Sequence, residues 1–284
     1  MDIGFLRALR LCLAFLFCTM TACALLETGQ VGEVPPLDAS RAEIIAKLKA
    51  RRYPRSYRGA VFMRLRFHGE HSKARSENPL VPEGSFSGQA ALVLRKPDSL
   101  RMEPLSPFGT PLLVVVAQGA SFRAYSPSRN AVYMGRTNGR GIEGILGIPL
   151  NSEIFIKLLL GDWAAVLGGE ENLELKKPGS VYLLETRRGA RGVVSGFVEL
   201  EPRNFHPVKM EIRTRRGAIV VRYGGFIRTG ETWRPSQVEI LGSEGKNRLQ
   251  ITYPAGEGAV EAELPDELFR LVPPRGARTL WLGG

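Results

Sequence analysis

Cysteine and histidine, on which disulfide frameworks and most structural metal sites depend, are scarce in this sequence. The 284 residues include three Cys and three His. The cysteines stand at positions 12, 18 and 23, so the chain after Cys23 has no disulfide framework to build. His68, His71 and His206 have no second cluster of ligand residues at metal-site spacing, and we expect them on the surface. The sequence therefore predicts neither a metal site nor a disulfide scaffold.

Catalytic motifs are missing as well. No Ser lies in a G-x-S-x-G turn, and the carboxylates show no pairing beyond alternation along strands. Gly139, Gly141 and Gly144 match the dinucleotide pattern G-x-G-x-x-G. That pattern requires a long helix after its last glycine, whereas Pro149 ends any helix within five residues. We therefore expect a protein that is not an enzyme and that has no cofactor.

The N-terminal segment is apolar but too short and too broken for a membrane-spanning helix. Arg7 and Arg10 precede the apolar run at 11–17, which is typical of a secretory signal peptide. The letters MTAC at 20–23 resemble a lipobox, so we expect residues 1–22 to be removed and Cys23 to be lipidated. An ordinary signal peptide with chance cysteines is the alternative. An Asp after the lipidated Cys would resemble the inner-membrane retention signal of enteric bacteria, but residue 24 is Ala. We therefore expect the protein to be anchored in the outer membrane and to face the periplasm. Residues 23–39 are then the lipidated N-terminus and tether.

Negative charge is in deficit, and the formal net charge is +11. A basic chain can bind nucleic acid, but an exported lipoprotein does not routinely meet it, so we expect no nucleic acid partner. An acidic partner or an anionic membrane surface is the better interpretation, with a solvated basic surface as the alternative. The letters TRRGA occur at 186–190 and at 214–218, each at a predicted hairpin tip. They are either solvated turns or a basic rim that meets an acidic partner or lipid head groups.

The body of the chain has the pattern of an antiparallel sheet. Ser40 and Glu43 form a capping box that predicts one short helix. From 57 to 253 the apolar residues then alternate in ten or more short runs, including 218–226 and 233–241. So many strands in hairpin sequence predict a mainly β domain at 40–264, a single antiparallel sheet curved around its own apolar face, followed by a tail at 265–284.

One helical segment interrupts the strands. Asn151 is placed to cap a helix that has almost no polar face, which predicts that this helix is buried against the concave side of the sheet. The short apolar stretch at 142–147, flanked by glycines, is interpreted as a movable lid. A rigid core helix with a loop is the alternative.

The stretch LSPFGTPLLVV at 105–115 raises a question of its own. Pro107 and Gly109 bracket Phe108 and predict a tight turn. Removing a Phe side chain from water is worth about 1.5–3 kcal/mol. We therefore expect Phe108 to pack either on its own sheet or on an apolar partner outside the chain.

Three segments together resemble the LolA/LolB family of lipoprotein-localisation proteins. The turn SPFG (106–109) resembles that family's Asn-Pro-Leu-Gly turn, GIPLNSEIFIKLLLG (147–161) resembles its helix-bearing segment, and VVRYGGF (220–226) resembles a strand with Tyr-Gly-Gly and an aromatic. Their order and spacing agree over about 58–253. The resemblance implies a half-open β-barrel with helices covering the concave face and an apolar cavity for lipoprotein acyl chains.

The resemblance also implies partners and site residues. The cargo comes from a periplasmic lipoprotein carrier and is inserted into the outer membrane; we expect this chain to act as a monomer. Cys23 is the expected anchor, and Pro107, Phe108 and Gly109 form the expected membrane-insertion turn. The expected residues of the acyl-chain cavity or lid are Ile142, Ile145, Leu146, Ile148, Phe155 and Leu158.

The sequence departs from the family in three places. Phe108 stands where the family has a protruding Leu, the loop at 69–85 is longer and has an apolar tip, and the tail has no counterpart. Relatives with this scaffold also act as envelope sensors or bind other lipids. A lipid-binding sensor or scaffold lipoprotein is therefore the alternative function.

Overall fold

A computed structural model describes the folded part of the chain. The described residues are 38–67, 85–137, 141–176, 181–190, 192–242, 247–256 and 258–281. The predicted signal peptide, Cys23, almost all of the tether, most of the 69–85 loop, His68 and His71 lie outside them.

The domain begins with the predicted short helix. Helix α1 (Arg41–Lys49) starts where the Ser40 hydroxyl accepts a hydrogen bond from the backbone N–H of Glu43, at 3.2 Å. This bond satisfies one of the amides that the first turn of a helix leaves unpaired. The buried side chains of the helix are Ile44, Ile45 and Leu48.

The predicted strands form most of the domain after α1. The strands are β1 (Ser56–Phe67), β2 (Ser85–Arg95), β3 (Ser99–Pro104), β4 (Val114–Gln118), β5 (Ser121–Ser126), β6 (Ala131–Arg136), β7 (Leu173–Lys176), β8 (Tyr182–Thr186), β9 (Ser195–Leu200), β10 (Pro207–Thr214), β11 (Gly217–Tyr223), β12 (Phe226–Thr229), β13 (Thr232–Pro235), β14 (Gln237–Leu241), β15 (Asn247–Thr252), β16 (Ala259–Val260) and β17 (Arg278–Trp281). Three further helices, α2 (Gly141–Leu146), α3 (Ser152–Leu159) and α4 (Trp163–Val166), lie between β6 and β7. Short 3₁₀ turns occupy Pro127–Arg129, Glu170–Asn172 and Asp266–Phe269.

Fifteen strands belong to one sheet, in the order β17-β6-β5-β4-β3-β2-β1-β15-β14-β11-β10-β9-β8-β7, with β16 beside β1. Within the described residues, β17 and β7 are the two ends of this order, so the sheet is not closed into a barrel. The pairs are antiparallel, as predicted, except that β17 runs parallel to β6. The mainly β class with one large open sheet and few helices is confirmed.

Helix α3 shows how strongly the sheet is curved. The helix packs on β3, and its Leu158 carbonyl accepts a hydrogen bond from the Tyr223 hydroxyl at the end of β11. Five strand spacings separate β3 from β11, about 24 Å in a flat sheet. An eight-residue helix is about 12 Å long. The sheet therefore bends around α3, and the helices pack on its inner face.

Two predicted strands are wrong in their extent, for one common reason. The run at 218–226 stops at Tyr223, and the run at 233–241 is interrupted at Ser236. Ser236 donates its hydroxyl to the Gly224 carbonyl at 2.6 Å, and Gly225 has a φ of +102°, a conformation that favours glycine. The chain leaves the main sheet at this point and forms the separate hairpin β12–β13.

The outer face of the sheet carries a second, smaller apolar cluster. Its members are Val93, Val114, Val116 and Val132 from the strands, with Leu264, Phe269 and Leu271 from the C-terminal segment. The described part of the segment predicted as a tail, residues 265–281, thus packs on the sheet and ends in β17. Arg95 pairs with Asp266 and helps to hold it there. Among the described residues, no helix is long and apolar enough to cross a bilayer.

Candidate functional site

The two ends of the sheet differ in the segments that they bring together. The strand registers place Phe67, Leu241 and Thr214, the last residues of β1, β14 and β10, at the same end. The chain leaves β3 at this end too, because Pro104 pairs with Ala90 in antiparallel β2. The predicted insertion turn and the connections that follow β8 and β10, which contain the two TRRGA stretches, therefore lie at one end. We call it the Phe108 end.

The insertion turn is held together by its own hydrogen bonds. Gly109 donates its N–H to the Ser106 carbonyl at 2.9 Å, which closes the turn over Pro107 and Phe108. Gly109 has a φ of +78°, so glycine relieves the strain at this position. The Ser106 hydroxyl lies 2.7 Å from that of Thr110, and Ser106 N–H donates to the Thr110 carbonyl at 2.8 Å.

Phe108 projects from this braced turn into solvent. Its side chain is 92% exposed, more than that of any other large apolar residue described as exposed. It does not fold back on the sheet, which was the alternative left open by the sequence. The turn thus presents an aromatic ring at a fixed position with nothing of the described chain against it.

The six side chains predicted for the cavity or lid lie together. Ile142, Ile145, Leu146, Ile148, Phe155 and Leu158 are all buried in the main apolar cluster on the inner face. Helix α3 begins as predicted, with the Asn151 Oδ1 accepting from the N–H of Ile154 at 2.8 Å. In this conformation the six side chains fill the interior.

Two polar contacts fasten the predicted lid to the Phe108 end. The Arg216 guanidinium, on the β10–β11 turn, pairs with the Glu143 carboxylate of α2 at 2.7 Å. Asn247 Nδ2, at the start of β15, donates to the Gly147 carbonyl at 2.7 Å. An ion pair and an amide hydrogen bond therefore connect the segment predicted as a lid to the Phe108 end.

A pocket of about 640 Å³ lies where the lid meets the hairpin tips. Its lining residues are Pro149, Leu150, Asn151, Ile154, Gly189, Ala190, Gly192, Val193, Val194, Thr214, Arg215 and Arg216. Part of each TRRGA stretch therefore meets part of residues 148–152, which we call the IPLNS segment, in one concave site. Sequence reasoning missed this pocket, since the three segments are far apart in the chain and only the strand registers bring them together.

The opposite end of the sheet, which we call the Tyr53 end, has polar contacts that fix helix α3 and a second, more polar pocket of about 890 Å³, whose lining includes Arg51, Tyr53 and Asp162. Trp163 Nε1–H donates to the Tyr53 hydroxyl at 3.1 Å, and burial raises the pKa of Tyr53 to about 12. The Tyr253 hydroxyl donates to the Leu159 carbonyl at 2.8 Å, and Lys96 pairs with Asp162 after α3. These contacts fix the C-terminal end of α3 to the sheet.

His206 also lies at the Tyr53 end, and its expected surface position is wrong. Its ring is buried and stacks on Phe226, with ring centroids 4.7 Å apart and planes 4° apart, beside Trp233 at 4.9 Å. Burial first, and then the nearby Arg51, lower the pKa of His206 to about 4. The aromatic residues that surround it come from the hairpin that sequence reasoning misplaced.

Metal ligands do not cluster in the part of the chain that the structure describes. No group of three His, Cys, Asp or Glu side chains is placed there to hold a metal ion. The Phe108 end offers a ligand apolar surface, amide hydrogen-bond donors and the positive charge of arginine side chains.

Comparison with known proteins finds likeness in architecture. No protein-family profile matches the sequence, and no curated protein is similar to it at a significant level. Among solved structures, the chain is similar to a LolA superfamily protein from Nitrosomonas europaea, at 12% identity and a TM-score of 0.47, covering 82% of this chain and 98% of that one.

Two further solved structures are similar to the same extent. A putative outer membrane lipoprotein-sorting protein domain from Vibrio parahaemolyticus has 13% identity and a TM-score of 0.47, over 79% of this chain and 93% of that one. A DUF1329 family protein from Desulfovibrio piger has 11% identity and a TM-score of 0.48, over 81% and 95%. Each is a likeness of fold and not of function.

Proposed function

We propose that this chain is a lipid-anchored receptor of the outer membrane that takes the acyl chains of lipoproteins from a periplasmic carrier and inserts them into the bilayer. The anchor is Cys23, and the folded domain faces the periplasm. Binding depends on apolar burial, which needs no cofactor and no covalent step.

The exposure of Phe108 is the observation that carries the proposal. A ring that is 92% exposed on a braced turn is unfavourable in water and favourable in the interfacial region of a bilayer. Because Ser106 and Thr110 hold the turn, little conformational entropy is lost when the ring inserts. The turn is suited to touch the membrane at the moment of delivery.

The lid supports the second part of the proposal, uptake of acyl chains. Its buried face joins the main apolar cluster, while its fastenings are a partly exposed ion pair and a hydrogen bond to Gly147. A partly exposed ion pair contributes about 0–1 kcal/mol, so the main cost of opening is the exposure of the buried apolar face of the lid. Opening would expose Ile142 and Ile145 to an incoming chain.

The alternative function, an envelope sensor or scaffold, is favoured by a different observation. The six predicted cavity residues are packed in the interior, as in a protein whose core only stabilises the fold. The two functions differ in whether the purified domain takes up an acyl chain.

Transfer of a radiolabelled lipoprotein tests the proposal. The carrier loaded with cargo is mixed with this protein lacking its lipid anchor, and liposomes are added afterwards. The native protein should remove cargo from the carrier and deliver it. Phe108→Glu should remove cargo equally well and fail to deliver it, because a carboxylate on the turn opposes insertion.

Val272→Glu is the matched control. Val272 is 85% exposed but follows Leu271, which packs on the outer face of the sheet, so its substitution should leave delivery unchanged. If Phe108→Glu delivers cargo as well as the native protein, the turn has no role in insertion. Failure of the native protein to take cargo would favour the sensor or scaffold.

A further inference from the structure

We propose that the pocket at the Phe108 end takes an acyl chain whose head group is anionic, and that Arg215 selects this charge. The inference rests on the proposed uptake of acyl chains and adds the chemical class of the ligand.

The floor of the pocket is apolar and continuous with the interior. Leu150, Ile154 and Val193 line the pocket and are also buried members of the main cluster. An acyl chain that lies on this floor therefore touches the side chains that it would displace on the way in. The volume, about 640 Å³, is within the range of about 300–1,000 Å³ that is usual for small-molecule pockets.

The rim of the pocket is rich in donors that have no partner. The Arg215 side chain is exposed and makes no hydrogen bond or ion pair with any described residue. The Asn151 side chain uses its Oδ1 to cap α3, and its Nδ2 has no partner among the described residues. Arg216 adds a second guanidinium, although it pairs with Glu143.

The described residues that line the pocket include no carboxylate. A neutral head group would leave the positive charge of the rim without a counterion, whereas a carboxylate or a phosphate would accept from Arg215 and from the Asn151 amide. Charge-assisted hydrogen bonds of this kind are about twice as strong as neutral ones. The charge on the rim and the apolar floor together fit an amphiphile with an anionic head group.

The glycines beside the rim leave room for the head group to approach. A Cβ atom at Gly192 would lie 3.1 Å from Ile154 Cδ1 and 3.4 Å from Asn151 Nδ2. A larger residue at this position would therefore crowd both the floor and the unpaired amide. Gly192 also has a φ of +81°, which other residues rarely adopt.

The test compares a fluorescent fatty acid, cis-parinaric acid, with its neutral methyl ester, on the full folded domain. The acid should bind about tenfold more tightly than the ester. Arg215→Gln should remove this preference by weakening the acid about tenfold while the ester is unchanged. Arg275→Gln, at an exposed arginine of the C-terminal segment, is the matched control and should keep the preference.

The outcomes separate this inference from the proposed function. If acid and ester bind equally to the native protein, or if Arg215→Gln keeps the preference, the inference is overturned and acyl-chain uptake stands. If neither probe binds, both fail. Displacement of the acid by lysophosphatidic acid but not by a monoacylglycerol would support the anionic class and extend it to phosphates.

Discussion

The Tyr53 end and the Phe108 end of the same sheet are built in opposite ways. At the Tyr53 end, the buried Trp163 indole donates a hydrogen bond to the hydroxyl of the partly buried Tyr53. At the Phe108 end, an aromatic ring, the Arg215 guanidinium and the Asn151 amide face solvent or a pocket. The comparison indicates that side-chain contacts fix α3 at the Tyr53 end, where a polar pocket of about 890 Å³ also lies, and that the exposed apolar ring belongs to the Phe108 end.

The difference also concerns helix α3, which connects the two ends. Its C-terminal end is fixed by the Tyr223 and Tyr253 hydroxyls, which donate to the carbonyls of Leu158 and Leu159. Burial raises the pKa of both tyrosines well above the usual value, so these hydroxyls stay protonated as donors. Its N-terminal end borders the pocket. Motion of the predicted lid, α2, is therefore expected to leave the C-terminal end of α3 in place.

The largest effect is expected from truncation at the Tyr53 end. Trp163 is 0% exposed, and Trp163→Ala removes its packing and leaves the Tyr53 hydroxyl without its donor. We expect a loss of about 3–5 kcal/mol in the free energy of unfolding, measured by urea denaturation. Phe108→Ala, the corresponding aromatic truncation at the other end, should change it by less than about 0.5 kcal/mol. Equal losses for the two variants would contradict the comparison.

The next largest effect is expected from His206, which should make the free energy of unfolding depend on pH. The folded protein holds this pKa at about 4, below the ordinary 6.5, so the unfolded chain takes up a proton first as the pH falls. Stability from the neutral ring is present above pH 6.5 and is lost between pH 6.5 and about 4. His206→Phe keeps the stacking on Phe226 and removes the titration.

The measurement is the free energy of unfolding at pH 7 and at pH 4.5 for both proteins. Other groups also contribute to the pH dependence of stability, so the informative quantity is the difference between the two slopes. We expect the native protein to lose about 1–2 kcal/mol more than His206→Phe. Parallel slopes would show that His206 is protonated at no cost to the fold.

The smallest effect is expected at the lid. Glu143→Gln removes the ion pair with Arg216, which is partly exposed and contributes less than about 1 kcal/mol. Amide hydrogen exchange of residues 141–146 should become a few times faster, with little change in global stability. Glu43→Gln, which breaks the exposed Lys47 pair on α1, is the control and should leave the exchange of 141–146 unchanged. Equal exchange in the two variants would rule out the ion pair as a fastening of the lid.

The elements that the sequence predicts well depend on contacts close along the chain. Ser40 and Asn151 cap helices α1 and α3, as their spacing to the first apolar residues indicates. The turn at Phe108 forms as Pro107 and Gly109 predict, because its hydrogen bonds join residues three or four apart. Period-two alternation likewise identifies most strands, since alternate side chains point to opposite faces.

The misplaced elements depend on contacts far along the chain. The break after Tyr223 requires Ser236 to bond the Gly224 carbonyl, and the burial of His206 requires Phe226 and Trp233 of the resulting hairpin. The parallel pairing of β17 with β6 joins Arg278 to Ala131, which lie far apart in the chain. A local pattern carries no information about such partners.

By itself, the sequence determined the class of this protein: a basic, mainly β chain with an N-terminal lipobox-like segment, an apolar helix inside the sheet and a bulky residue on a tight turn. Those features follow from composition and from periodicities that neighbouring residues impose. The tertiary structure alone decided that Phe108 faces solvent and that both TRRGA stretches meet the IPLNS segment around one pocket. The physical reason is the register of an antiparallel sheet, which gathers distant turns at one end and sets their charges beside a shared apolar floor.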